Sequence, residues 1–290
     1  MTQSNLCSVA QLEAKLDSSD LVIIDGSWYM PASGRDPYKE YCSSHIKGAM
    51  FFDIDQISAP ANGLPHMLPT PQQFEQSVTQ MGIRNDSDIV IYDTAGLFSA
   101  ARVWWTFKVF GHKRVQVLDG GFPAWLKEHA NDSNISCIDE RLPTQISQSQ
   151  YRAEINETFL ATRDVLIGNI ETNEFLVLDA RSSGRFSGAE PEPREGLRSG
   201  HMPCSQSLPF ERLIDQECLK SVDALTEIFA KYGLDAAKDD KPIITTCGSG
   251  VTAAIISLAL TEAGFSLHKL YDGAWCEWAS NESSIVLTSV

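Results

Sequence analysis

Four runs of consecutive apolar residues punctuate the chain: LVIID at 21–25, DIVIYD at 88–93, FLVLD at 175–179 and PIITT at 242–246. A strand with one wet face would alternate apolar and polar positions. These runs do not alternate, so they predict strands buried on both faces, as in a parallel sheet. Between them lie helix-type stretches, AARVWWTFKVFGH and VTAAIISLALTEAGF. Each reaches a glycine, Gly111 and Gly264, where a helix end favours a left-handed residue. Strands alternating with helices predict an α/β fold with a mainly parallel sheet flanked by helices.

The pattern occurs twice. Asp119-Gly120 and Asp272-Gly273 stand 153 positions apart, as do Ser99-Ala100-Ala101 and Thr252-Ala253-Ala254, and Trp125 and Trp278. SHIKGAMFFDI at 44–54 parallels GHMPCSQSLPF at 200–210. A period this long marks a duplicated domain rather than a solenoid. The expected division is a first domain over 1–140, a polar linker without periodicity over 141–156 and a second domain over 157–290. His45 and His201 fall at repeated positions and read as structural. Asp119 and Asp272 read as turn or strand-end residues.

Length agrees: 290 residues suit two domains of about 100–150 residues each. No apolar run reaches the ~18 residues of a membrane span, and the N-terminus carries no secretory pattern. A net charge of −15 argues against nucleic-acid and membrane-surface partners. It also means that an anionic substrate would need a local cluster of cations. The seven cysteines are irregularly spaced with no C-x-x-C, which predicts reduced thiols in a cytoplasmic protein. Cys42-x-x-His45 and His201-x-x-Cys204 have metal-ligand spacing. The repeat accounts for both histidines more simply, and no metal is expected.

The loop CGSGVTA, opening at Cys247, carries the candidate chemistry. It joins the strand PIITT to a helix expected from Val251 or Thr252. In an open α/β sheet this is where ligands bind. Unpaired N–H groups at a helix start favour an anion there, a thiolate included. Gly248 and Gly250 let successive N–H groups turn inward, and Ser249 adds a hydroxyl. The competing reading is a glycine turn around an inert core cysteine. The first half has Thr94 at this position, so one copy offers a nucleophile and the other does not. A phosphatase-type C-x5-R loop would need arginine where Ala253 stands.

The repeat, CGSGVTA and YDGAWCEW together resemble the rhodanese superfamily, and from Leu21 to Trp278 its tandem-domain 3-mercaptopyruvate sulfurtransferases. The resemblance implies two rhodanese-like domains, the first without a catalytic cysteine. It implies an enzyme that moves the sulfur of 3-mercaptopyruvate through a Cys247 persulfide to cyanide, small thiols or thioredoxin and releases pyruvate. No organic cofactor is needed. The arginines of GRF and EPEPR map onto Arg185 and Arg194 as the clamp for the substrate's carboxylate and carbonyl, with Gly248, Gly250, Val251 and Thr252 lining the loop. Asp53 and His66 carry over as a proton relay behind Ser249. Thiosulfate-using relatives carry two basic residues where this chain has Gly248 and Ser249, so thiosulfate:cyanide transfer is the alternative enzyme. A non-catalytic binding or redox-sensing module is the alternative of another class. Two positions depart from the pattern: Cys204 stands where glycine is usual, and Cys276 replaces a polar residue.

Overall fold

The computed structural model describes residues 4–59, 63–130, 138–139, 149–238 and 241–289. Among these, the chain forms two compact units. Unit 1 comprises Met1–Ala59, Pro69–Asn156 and Gln216–Leu219; unit 2 comprises Pro60–Leu68, Glu157–Asp215 and Lys220–Val290. Each unit thus includes a short segment from the opposite half of the sequence.

Unit 1 is built on a five-stranded sheet in the spatial order Leu6–Cys7, Val115–Leu118, Asp88–Tyr92, Leu21–Asp25, Met50–Phe51, with every pairing parallel. Unit 2 repeats it with Leu160–Ala161, His268–Tyr271, Ile243–Thr246, Leu176–Asp179 and Ser205–Ser207, again all parallel. The continuous apolar runs become the inner strands, and Leu176–Asp179 and Ile243–Thr246 are buried along their whole length. The helix Ala100–Val109 packs against the first sheet and Ala253–Glu262 against the second. Both give way to left-handed glycines, Gly111 (φ 81°) and Gly264 (φ 90°), as the pattern requires. The helix after the cysteine loop begins at Ala253, with Thr252 as its cap, slightly later than Val251 or Thr252. The loop residues hold their N–H groups out of the helical ladder.

Apolar residues from strands and helices close each core. Trp125, Tyr92, Val90 and Leu12 pack together in unit 1, and Trp275, Trp278, Tyr271 and Ile244 in unit 2. Of the expected linker, 141–148 lie outside the described residues. Tyr151 to Asn156 pack on unit 1: Tyr151 is buried edge-on to Phe74, and the Asn156 N–H donates to the Val109 carbonyl at 2.8 Å. Among the described residues no helix is long and apolar enough to cross a membrane.

The strand order places the site. In unit 2, Leu176–Asp179 and Ile243–Thr246 lie side by side, while the strands that follow each in sequence lie on opposite flanks. Chain leaving two neighbouring strands in opposite directions opens a crevice at their carboxyl ends. Cys247 follows one of these strands, and Arg181 and Arg185 follow the other.

Candidate active site

Each half joins its central strand to a helix through a loop, and the two helices begin 153 positions apart, at Ala100 and Ala253, but the two loops are filled differently. In unit 1 the strand is followed by Asp93, which is buried. Its Oδ2 accepts from the N–H groups of Phe98, Ser99 and Ala100 at 2.8 Å each, and its Oδ1 accepts from Ala95 N–H at 2.9 Å. The start of that helix is an anion site occupied by the chain's own carboxylate.

In unit 2 the position of Asp93 is taken by Thr246, a short neutral side chain whose buried Oγ1 meets no hydrogen-bond partner among the described residues. The N–H groups corresponding to the Asp93 donors belong to Gly248, Val251, Thr252 and Ala253. Among the described residues they meet no protein acceptor. The loop is instead pinned from its carbonyl side, by Trp275 N–H on Cys247 O (2.9 Å) and Cys276 N–H on Gly248 O (3.0 Å). Gly250 is left-handed (φ 81°), which favours glycine. Cys247 itself is 2% exposed.

Cations converge on this loop. A Cβ added to Gly248 would lie 2.8 Å from Arg185 Nη2, so the missing side chain makes room for the guanidinium. Arg185 is 21% exposed at its side chain and is held by Glu192, with Nη2 donating to Oε2 at 2.6 Å. Glu192 is also held by Arg181, whose Nη1 donates to Oε1 at 2.7 Å. Arg181 in turn is fixed by Asp179 at 2.7 Å and lies over the Trp275 ring. Burial works against charge on Arg181, but Asp179 and Glu192 outweigh it and raise the guanidinium's pKa. The chain Asp179–Arg181–Glu192–Arg185 therefore fixes Arg185 from a fully buried base. Arg194 is half-buried and forms no ion pair or hydrogen bond among the described residues.

Cys276 reports the local field. Burial pushes its thiol up, and Cys247 and Glu192 add to the rise, while Arg194 and Arg185 pull it down. Both arginines therefore act on the neighbourhood of Cys247, and Cys276 stays a neutral thiol.

Ser249 is 5% exposed, and its Oγ shares a 3.0 Å hydrogen bond with Nδ1 of His66, which is 3% exposed. His66 reaches it from Pro60–Leu68, the first-half segment that belongs to unit 2. Asp53 lies in unit 1, where its carboxylate accepts the Gln56 N–H at 3.0 Å and caps the helix Ile54–Ile57. His45 and His201 are structural: each Nδ1 meets a backbone carbonyl, of Tyr41 and Phe186, and each ring stacks on an aromatic neighbour. Among the described residues, no group of three or more His, Cys, Asp or Glu side chains is placed to hold a metal ion.

The structure thus brings together Cys247, Gly248, Ser249, Gly250, Val251, Thr252, His66, Arg185 and Arg194. It adds Glu192 and Arg181 as the support of Arg185, and Thr246 as the residue that leaves the cradle open. Only Thr246 had a signal in the sequence. Laying the halves together at the 153-residue offset sets it opposite Asp93.

The rhodanese-like domain family matches residues 8–128 and 162–281. The thiosulfate/3-mercaptopyruvate sulfurtransferase 1, mitochondrial, of Arabidopsis thaliana is 40% identical over 96% of this chain and 77% of its own. The human 3-mercaptopyruvate sulfurtransferase is 38% identical over 92% and 88%. The crystal structure of the 3-mercaptopyruvate sulfotransferase SseA of Escherichia coli superposes with a TM-score of 0.83 at 33% identity, covering 94% of this chain and 99% of that one.

Proposed function

The chain belongs to the rhodanese-like domain family, in two tandem copies, and from that premise we propose that it is a sulfurtransferase taking sulfur from 3-mercaptopyruvate. One observation carries the reading: the helix-start cradle that holds Asp93 in unit 1 is left open beside Cys247 in unit 2. A site meant only to fold would fill it, as unit 1 does.

The substrate's carboxylate and carbonyl dock on Arg185 and Arg194, whose forked donors match planar oxygens. This answers the charge problem, since two local cations serve an acidic protein. The Cys247 thiolate attacks the substrate sulfur. A sulfur–sulfur bond forms, the carbon–sulfur bond breaks, and its electron pair leaves with the pyruvate enolate. The enolate carbon takes a proton delivered through Ser249 with His66 behind it. The outer sulfur of the resulting persulfide sits among the open N–H groups. Cyanide, a small thiol or reduced thioredoxin then removes it. The neutral Gly248–Ser249 pair favours mercaptopyruvate over the dianion thiosulfate as donor. Ser249 and His66 form the hydrogen-bonded part of the proton path, with Asp53, whose Oδ1 also caps the helix Ile54–Ile57, behind them. Six described cysteines form no disulfide among the described residues, which suits a reducing compartment such as the cytoplasm.

Mass spectrometry after incubation with 3-mercaptopyruvate should find one added sulfur on Cys247, absent in Cys247→Ser. Replacing Arg185 and Arg194 with alanine should chiefly weaken mercaptopyruvate use. Faster turnover with thiosulfate than with mercaptopyruvate would overturn the choice of donor.

A further inference from the structure

We propose that Asp272 is a positioning residue for the Ser249–His66 pair, holding through Leu68 the segment that carries the histidine; this rests on the proton path above. His66 sits at φ 61°, a left-handed conformation that a side chain resists. Such a residue persists only where its surroundings fix it. One fixed point is Ser249. The second lies two residues on, where Leu68 N–H donates to Asp272 Oδ2 at 2.8 Å. Asp272 is 7% exposed and follows the strand His268–Tyr271. That strand runs parallel to and beside Ile243–Thr246, so Asp272 and Cys247 emerge at the same sheet edge. Asp272 is therefore more than the turn residue its Asp-Gly context predicts.

The other half of the molecule carries the same fastening without the chemistry. In unit 1, Leu219 N–H donates to Asp119 at 2.8 Å, and two residues earlier Glu217 is left-handed at φ 73°. Glu217 lies over Gly96, the counterpart of Ser249: a Cβ added to Gly96 would fall 2.5 Å from the Glu217 Cβ. The helix caps that follow also correspond, Thr70 before Pro71–Gln80 and Ser221 before Val222–Ala230. The aspartate, the anchored leucine and the left-handed residue over the loop thus form one duplicated latch. In unit 1 it holds a glutamate over glycine; in unit 2 it holds a histidine on serine.

The test uses the full chain with Asp272→Ala and Asp272→Asn, each alone and combined with His66→Ala. Thermal melts accompany kcat and KM for 3-mercaptopyruvate. Asp272→Ala should lower kcat roughly tenfold, the worth of one buried hydrogen bond to a charged group, with KM nearly unchanged. Asp272→Asn keeps an acceptor oxygen for the Leu68 N–H and should stay near wild type. In the His66→Ala background the Asp272→Ala loss should vanish, because the aspartate acts only through the histidine. An equal loss in both backgrounds would overturn the proposal. So would wild-type kcat for Asp272→Ala alongside a slow His66→Ala, or a large loss in a folded Asp272→Asn. Wild-type kcat for His66→Ala would instead bring down the proton path itself.

Discussion

Thr246→Asp would give the second loop the carboxylate that the first already contains. Asp93 is buried beneath its helix and accepts four N–H groups. Among the described residues the corresponding donors around Cys247 are open, and the Thr246 hydroxyl has no partner to lose. The introduced carboxylate should therefore fold into place and occupy the cradle. Removing a single donor from a developing oxyanion costs about 10²–10³ in kcat. Occupying several at once, with a like charge beside the sulfur, should reduce persulfide formation by at least ~10³. The melting temperature should hold or rise, because orphan N–H groups gain an acceptor. Thr246→Val, which removes only the unpartnered hydroxyl, is the control and should keep activity. The assay is single-turnover pyruvate release from 3-mercaptopyruvate with a thermal melt on the same samples. If folded Thr246→Asp forms persulfide within tenfold of wild type, the open cradle has no part in the chemistry.

Two further outcomes follow from the same structure. Burial raises the Asp25 carboxyl from its ordinary 3.8 to about 6, against weaker opposing hydrogen bonds from Ser27. The folded chain thus binds this proton more tightly than the unfolded chain. The folded state has its full stability below about pH 4 and loses it as pH rises through about 6, the loss reaching roughly 3 kcal/mol by neutrality. Asp25→Asn should therefore gain stability over wild type at pH 7 but not at pH 4, measured by urea unfolding. Cys204 has φ 59° where the first half has Gly48 at φ 78°. Cys204→Gly should raise stability by about 0.5–1 kcal/mol, and a lower melting temperature would contradict this.

The sheet was legible because its inner strands need apolar residues on both faces, and runs such as LVIID and PIITT leave no other reading. The duplication was legible because Asp-Gly, Trp and the helix caps recur at one spacing. Cys247, Ser249 and the loop glycines were legible for the same local reason: a strand, a turn and a helix start lie within a few residues of one another. Arg185, Arg194 and His66 came from family resemblance, since nothing in EPEPR or GLPHMLP announces a site. What stayed hidden depends on long-range contacts. The links from Glu192 to Arg181 and Arg185 span 11 and 7 residues, within a stretch whose alternating charges look like a solvated loop. The link from Asp272 to Leu68 spans 204 residues, and a single backbone N–H leaves no mark on composition or periodicity. Asp53 also came from family resemblance; in the structure its Oδ1 caps the helix that starts beside it.

His66 is encoded in the half of the chain that lacks the cysteine. A protein severed between the repeats would keep the sulfur and both guanidiniums on the second fragment and leave the imidazole on the first. Neither fragment alone would then hold both partners of the Ser249–His66 hydrogen bond.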